Sequence, residues 1–128
     1  MIVVDTSALI AVLLQEPGSA ACVEILKENP DLLVSAGTLA EALIVAEGRG
    51  LRHEMERLIG ESDFEVTPVT AAETRRVGEA YRRWGKGFHA AKLNFGDCFA
   101  YALAKERACP LLYVGGDFAR TDIVSAIA

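Results

Sequence analysis

The sequence predicts an α/β fold, with a mostly parallel sheet covered by helices on both faces. Short apolar segments typical of buried strands alternate along the chain with longer segments of helical periodicity. The hydrophobic content is 52% and the mean hydropathy is +0.25, as expected for strands buried on both faces or for an apolar surface covered by a partner. The 128 residues contain no linker and no repeat, so one domain is expected, residues 1–128.

Five short segments are the predicted strands. The first, IVV, is directly followed by Asp5, and the fourth, LLYV, ends at two glycines. Each strand is followed or preceded by turn-forming or helical sequence, which is the pattern of parallel crossover connections. In chain order the predicted strands cover residues 2–4, 32–35, 64–69, 111–114 and 123–126.

Six helices are predicted between these strands. Thr38 is the expected N-cap of the third helix, with Glu41 three residues later at the spacing of a capping box. Asp97 is the expected N-cap of the last helix, which is apolar on most faces and is therefore expected to be buried. The predicted helices cover residues 7–15, 20–28, 38–50, 52–59, 70–84 and 97–107.

Four acidic residues fall where strands end and helices begin, which is the edge of a parallel sheet that forms the functional crevice. No Lys or Arg lies within four residues of Asp5, Glu41 or Asp97, so a buried charge there needs another partner. Oxygen ligands of this kind suit Mg²⁺ or Mn²⁺. The predicted metal ligands and catalytic residues are Asp5, Glu41, Asp97 and Asp117.

Each of these acids also has a structural explanation. Asp5 and Asp97 are good helix caps, Glu41 could complete its capping box, and Asp117 could be a turn residue. Asp122 is interpreted as a hydrogen-bonded turn acid, with a helper-ligand role as the alternative. The convergence of four acids on one edge of the sheet favours the cation site.

The charge distribution is uneven along the chain. A net charge of −5 and a pI of about 5.0 argue against unspecific binding to nucleic acid. One basic stretch, residues 75–92, nevertheless has a net charge of +5, because Glu79 is its single acid. This stretch could draw a phosphate backbone across an acidic site, although its arginines also fit the polar face of an amphipathic helix. Its basic side chains are Arg75, Arg76, Arg82, Arg83, Lys86 and Lys92.

The cysteines and the apolar runs predict a cytoplasmic protein. Three scattered cysteines form no CxxC pair and no zinc-like spacing with the two histidines, which fits a reducing compartment. Cys98 has apolar neighbours and is interpreted as a core thiol. The longest apolar run, residues 8–14, is too short to span a bilayer, and no cleavable signal precedes it.

Four motifs occur in order and together cover essentially the whole chain. They are VVDTSALI at 3–10, TLAEALIV at 38–45, LNFGDCFAYALAK at 93–105 and VGGDFARTDI at 114–123. As an ordered set they resemble a PIN-domain protein, and more narrowly a VapC-type ribonuclease toxin of a toxin–antitoxin pair. The resemblance implies a three-layer α/β/α sandwich with a five-stranded parallel sheet, in which the four acids bind Mg²⁺.

The same resemblance implies a function and its partners. The expected activity is a Mg²⁺-dependent endoribonuclease acting on single-stranded or structured RNA, with Mn²⁺ able to substitute. The expected partners are the RNA, a cognate antitoxin and a second copy of the chain in a homodimer. The residues expected to contact the substrate or to orient a ligand are Thr6, Ser7, Lys86, His89 and Lys92.

Three other functions are compatible with parts of the sequence or of the fold class. A catalytically silent PIN domain that only binds protein or RNA is the main alternative, and the presence of Asp5, Glu41 and Asp97 argues against it. A DNA-directed nuclease is the second, since nothing in the residues separates RNA from DNA. A phosphoacceptor receiver domain requires an acid at the end of the third strand, which here reads VTPVT, and a Lys after the fifth, where none follows Lys105.

Overall fold

The computed structural model describes residues 1–127 and has the expected α/β architecture with a parallel sheet. Strand β1 lies in the centre, where Val3 pairs with Leu33 on one side and with Leu111 on the other. The strand order is β3-β2-β1-β4, and every pairing is parallel. The four strands are β1 (Ile2–Val4), β2 (Leu32–Ser35), β3 (Glu65–Thr67) and β4 (Leu111–Leu112).

Six α-helices connect and cover the strands within residues 1–127. Each lies within a few residues of its predicted position. No single one of them is long and apolar enough to cross a membrane; the first two pass that test only as a pair, and they are bent by 114° at their break. The helices are α1 (Thr6–Leu14), α2 (Ser19–Glu28), α3 (Ala36–Gly48), α4 (Arg52–Ser62), α5 (Ala71–Trp84) and α6 (Phe95–Arg107).

The prediction of a fifth strand at residues 123–126 is wrong, because this segment forms only an isolated β-bridge. One parallel bridge joins Leu111 to Ser125, and two backbone hydrogen bonds of 2.9 Å hold it. In these bonds the Leu111 N–H donates to the Val124 carbonyl, and the Ala126 N–H donates to the Leu111 carbonyl. Because β4 itself has two residues, the edge it offers is too short to pair with a longer strand.

The sheet separates two hydrophobic cores, which makes three layers. Successive residues of a strand point to opposite faces, so Val3 packs among side chains of α5 and α6, whereas Val4 packs among those of α1 to α4. Other fully buried side chains are Leu93, Leu103 and Leu111 in the first core and Leu9, Met55 and Leu112 in the second. Cys98 is buried in the first core, and the core-thiol interpretation agrees with this position.

Helix α3 begins earlier than predicted, and its predicted N-cap is wrong. Ser35, the last residue of β2, is the N-cap, and its hydroxyl accepts a hydrogen bond of 3.1 Å from the Gly37 N–H. Thr38 therefore lies inside the helix and is fully buried. The predicted capping box does not form, which leaves the Glu41 side chain free for other contacts.

Helix α6 also begins earlier than predicted, so Asp97 is not its N-cap. Asn94 takes that place and Asp97 is the third helical residue. The two residues form a reciprocal capping box: the Asn94 Oδ1 accepts from the Asp97 N–H at 2.9 Å, and the Asp97 Oδ2 accepts from the Asn94 N–H at 3.0 Å.

Candidate active site

An open cleft of about 250 Å³ lies at the carboxyl end of the sheet. Asp5 reaches it from the end of β1, Glu41 from the first half of α3, and Asp97 from the first turn of α6. The structure therefore brings together three of the four predicted acids. The cleft is lined by Asp5, Thr6, Ser7, Ile10, Glu16, Glu41, Asp97 and Val114.

Asp5 is both a helix cap and a member of the cleft. Its backbone N–H donates to the Leu112 carbonyl at 3.0 Å, which fixes it between β1 and β4. Its Oδ2 accepts from the Ser7 N–H at 3.0 Å and so caps α1. The side chain is 2% exposed, and its other oxygen, Oδ1, is buried without a hydrogen-bond partner. An unpaired buried carboxylate oxygen is costly, so Oδ1 is available to a ligand that enters the cleft.

Asp97, like Asp5, uses one carboxylate oxygen to cap a helix. Its Oδ2 completes the capping box with Asn94, and that bond leaves its Oδ1 unused. A carboxylate in the first turn also interacts favourably with the helix dipole. The structural explanation and the cation-site explanation of Asp5 and Asp97 are therefore compatible, because each explanation uses a different oxygen.

Glu41 is positioned from two sides. The Thr6 hydroxyl donates to its Oε1 at 2.7 Å and also lies 3.2 Å from the Thr38 carbonyl, across the α1–α3 contact. On the other side, the carboxylate lies directly against the backbone of Gly96 in α6, where any Cβ would overlap it. Thr6 thus orients a predicted ligand, while the Ser7 hydroxyl accepts from the Val114 N–H at 3.0 Å and fixes the wall of the cleft.

Asp5 and Asp97 resist ionisation in the absence of a cation. Burial raises the pKa of Asp5 to about 7, partly opposed by its hydrogen bonds from Ser7 and reinforced by the charges of Asp97 and Glu41. Burial also raises the pKa of Asp97 to about 6, with repulsion from Glu41 and Asp117 added. Both shifts have the direction expected for carboxylates gathered in a place of low polarity.

The donor set fits a hard divalent cation that keeps part of its water shell. The cleft offers carboxylate oxygens, one of them buried and unpaired, and its lining includes no Lys or Arg. Within residues 1–127, however, no three His, Cys, Asp or Glu side chains are close enough together to enclose an ion alone. Mg²⁺ typically takes one or two carboxylates and retains several waters, so the open cleft fits it better than an all-protein cage would.

The fourth predicted acid does not line the cleft. Asp117 is exposed and precedes a short 3₁₀ turn, Phe118–Arg120, although it lies near enough to raise the pKa of Asp97. Asp122 is elsewhere: its Oδ1 accepts from the Tyr101 hydroxyl at 2.5 Å and its Oδ2 from Lys105 at 3.1 Å. Asp122 is therefore the hydrogen-bonded acid that the sequence favoured.

The basic residues predicted to contact substrate are not brought to the cleft. Lys86, His89 and Lys92 are exposed in the loop between α5 and α6. His89 accepts from the Ala91 N–H at 2.9 Å and packs edge-on against Trp84, with 4.6 Å between ring centroids. Their role in substrate binding stays a prediction.

Three of the arginines form ion pairs at the surface of α5. Arg76 pairs with Glu73 and with Glu106 of α6, at 3.3 and 3.5 Å. Arg82 pairs with Glu79 at 3.8 Å, and Arg83 reaches Asp122 at 4.0 Å. These contacts are typical of the polar face of an amphipathic helix, which was one of the two interpretations of the basic stretch.

Two residues of the site were not singled out from the sequence. Gly96 is required beside Glu41, and its only sequence signal is its place directly before Asp97. Glu16 lines the cleft from the turn after α1. The signal that could have found it is the Pro17–Gly18 pair that follows it, because such a turn folds the chain back on itself.

The family follows from comparison with known proteins. The family model of the PIN domain matches residues 2–124. The ribonuclease VapC28 of Mycobacterium tuberculosis is 40% identical over 129 residues, covering 98% of this chain and 97% of the relative. The chain belongs to the VapC ribonuclease family of PIN-domain proteins. A VapC ribonuclease of Mycolicibacterium smegmatis is 39% identical over 127 residues, covering 96% of this chain and 98% of the relative.

Solved structures share the fold of this VapC-family chain at low sequence identity. VapC20 of M. tuberculosis, a toxin that cleaves the sarcin–ricin loop, superposes with a TM-score of 0.81 at 17% identity, covering 100% of both chains. A toxin–antitoxin complex from Klebsiella pneumoniae gives a TM-score of 0.72 at 18% identity, covering 100% of this chain and 98% of that one. The fold class predicted from the sequence is thereby confirmed.

Proposed function

We propose that the chain is a Mg²⁺-dependent endoribonuclease and the toxin of a cytoplasmic toxin–antitoxin pair, with Mn²⁺ as a working substitute. The observation that carries the proposal is the buried, unpaired Oδ1 of Asp5 in an open cleft that it shares with Glu41 and Asp97. Relatives covering nearly the whole chain are named as ribonucleases, and this supports RNA as the substrate.

In this proposal the acidic residues bind and orient the metal ion, and none of them attacks the phosphodiester as a nucleophile. Asp5 and Asp97 each keep one oxygen in a helix cap, which fixes the direction in which the other oxygen faces the cleft. Glu41 is the third acid and is oriented by the Thr6 hydroxyl. Asp117, outside the cleft lining, acts on Asp97 through its charge. Mg²⁺ bound among such acids supplies an activated water and stabilises charge on a phosphodiester.

The proposed partners are an antitoxin and a second copy of the chain. Solved neighbours of this fold include toxin–antitoxin complexes, which supports the first. Large apolar side chains at the surface support a covered interface, since Ile44 is 72% exposed and Phe95 is 74% exposed. A basic side chain from an antitoxin would neutralise the acids of the cleft, which have no cationic partner there.

The deciding experiment is cleavage of a labelled single-stranded RNA, and of the same sequence as DNA, with Mg²⁺, Mn²⁺ or EDTA. Wild type is compared with Asp97→Asn, because Asn keeps the acceptor oxygen needed by the Asn94 N–H and removes the charge. Asp63→Asn is the matched control: Asp63 is exposed at the end of α4 with φ 52°, a conformation that Asn tolerates well.

The expected result is RNA cleavage that needs the metal, survives in Asp63→Asn and falls by more than about 100-fold in Asp97→Asn, beyond the 10–100-fold typical of outer contacts. Equal cleavage of RNA and DNA would instead favour a general nuclease. Wild type that binds Mn²⁺ yet cuts neither strand would favour the silent binding module. Equal activity of wild type and Asp97→Asn would show that Asp97 is only a cap.

A further inference from the structure

The cleft has a second end that the proposed catalysis does not use. The acids Asp5, Glu41 and Asp97 lie at its sheet end, and Glu16 lines it from beyond the C-terminus of α1. Helix α1 has nine residues, so its two ends are separated by roughly 14 Å at 1.5 Å per residue.

Backbone hydrogen bonds and a tight turn fix the position of Glu16. Its N–H donates to the Ala11 carbonyl at 3.0 Å, and its carbonyl accepts from the Ser19 N–H at 3.0 Å. Gln15 before it has φ 52° and Gly18 after it has φ 92°, so the chain reverses sharply on both sides of the Glu16–Pro17 pair. A Pro at this point restricts the turn further.

The surroundings of Glu16 select what it can bind. Glu16 is exposed and, within residues 1–127, forms no ion pair with Lys or Arg. The apolar side chain of Ile10 lines the same cleft. An ionised carboxylate only accepts hydrogen bonds and repels phosphate. A ligand at this end therefore presents N–H groups together with a flat or apolar face.

We propose that Glu16 reads a base of the RNA next to the cleaved phosphate, and that the base is an unpaired guanine. This deepens the proposed function and rests on it: Ile10 and Glu16 line the same cleft as the acids, so a nucleotide next to a phosphate bound at the acids would meet Glu16. The buried, unpaired Oδ1 of Asp5 marks the cleft that Glu16 lines as a ligand site. Guanine is selected because it is the base whose Watson–Crick edge carries two adjacent N–H donors, which match the two oxygens of a carboxylate.

The test is the sequence profile of the cuts made in an RNA library with randomised bases. Wild type is compared with Glu16→Gln, which keeps the size of the side chain but replaces one acceptor oxygen by a donor. Glu24→Gln is the control, since Glu24 is exposed on α2 and does not line the cleft. A bidentate contact to a base gives discrimination of at least about fivefold.

The expected result is enrichment of guanine at one position flanking the cut in wild type and in Glu24→Gln, and its reduction by about fivefold or more in Glu16→Gln. The cleavage rate of an RNA without guanine should be the same in wild type and in Glu24→Gln. An unchanged profile in Glu16→Gln would overturn the inference and leave the ribonuclease standing. A loss of Mn²⁺ affinity in Glu16→Gln, measured by calorimetry, would overturn it in favour of a metal role. Wild type that cuts no RNA would overturn both proposals.

Discussion

Asp5 and Asp122 are the same residue type in opposite surroundings. Asp5 is buried beside two other acids, and its pKa is raised to about 7. Asp122 is exposed. Partial desolvation acts to raise its pKa, but hydrogen bonds from Tyr101 and Lys105, with the charges of Lys105 and Arg83, hold that pKa below the ordinary value. The structure satisfies one carboxylate with its own cations and leaves the other without any.

The difference separates a structural acid from a site acid. Asp122 joins the C-terminal segment to α6 through Tyr101, whose hydroxyl also accepts from the Trp84 Nε1–H at 2.8 Å. Its charge contributes to stability as the protein stands. The charge of Asp5 lowers the stability of the fold unless a ligand binds to it. The acid cleft is therefore less stable than a paired arrangement would be, as is common at binding sites.

The largest expected effect is on the pH dependence of stability without metal. A carboxyl whose folded pKa lies above its unfolded value of 3.8 stabilises the fold below about pH 4 and loses that contribution as the pH rises through the folded pKa. For Asp5 the loss is complete above about pH 7 and amounts to roughly 4 kcal/mol, at about 1.4 kcal/mol per pKa unit. Asp97 adds a loss in the same direction through about pH 6.

Urea unfolding in EDTA between pH 4 and 8 measures this dependence. The unfolding free energy should fall with rising pH in wild type and should fall less in Asp5→Asn, in which Asn still caps α1 and only the contribution of Asp97 remains. Added Mg²⁺ should stabilise wild type at pH 8 by mass action and leave Asp5→Asn unaffected. Identical pH profiles for the two proteins would contradict the assignment of Asp5 as an uncompensated buried acid.

The sequence predicted the parallel sheet and the meeting of three of the four acids in one cleft, because both depend on local pattern. The central strand, its exit into Asp5 and the apolar character of α6 can be read from a few adjacent residues. The fifth strand failed because pairing depends on the partner edge, and β4 is two residues long. The capping box at Thr38 failed because Ser35 offers an equally good cap three residues earlier, and local sequence does not decide between the two.

The parts of the site that the sequence missed are contacts between distant elements. Glu41 meets Gly96 across the packing of α3 on α6, and Glu16 reaches the cleft because the turn after α1 folds back. Neither contact has a periodic signal: Gly96 is marked only by its place before Asp97, and Glu16 only by the Pro17–Gly18 turn. Conversely, Asp117 satisfied every local criterion and yet does not line the cleft.

The second expected effect concerns the close approach of Glu41 to Gly96. In Gly96→Ala the added methyl would displace the carboxylate from its place in the cleft, and a displacement of about 1 Å can lower activity by roughly 100-fold. RNA cleavage should fall by about this factor while the protein stays folded by circular dichroism. Gly78→Ala is the control, since a Cβ there meets no atom within 4 Å, and it should add about 0.4–1 kcal/mol of stability with full activity.

A smaller effect is expected when Glu41 keeps its place but loses its orienting hydrogen bond. Thr6→Val removes the hydroxyl that donates to Glu41 at 2.7 Å and conserves the shape of the side chain. Cleavage should fall roughly tenfold, as for other residues that orient a ligand, and the Mg²⁺ concentration for half-maximal activity should rise. Thr6→Ser, which keeps the hydroxyl, should stay close to wild type; if Val and Ser behave alike, Thr6 only fills space.

The smallest effect is expected at Asp122, the paired acid in the comparison with Asp5. Asp122→Asn weakens the contacts with Tyr101 and Lys105 and should lower the unfolding free energy at neutral pH by about 1 kcal/mol. Because the pKa of Asp122 is lowered in the fold, this contribution is present above its unfolded pKa and disappears as the pH falls below it, opposite in sign to that of Asp5. Cleavage measured well below the melting temperature should be unchanged. If Asp122→Asn instead slows cleavage as strongly as Asp97→Asn at wild-type stability, Asp122 belongs to the site and the distinction between paired and unpaired acids fails.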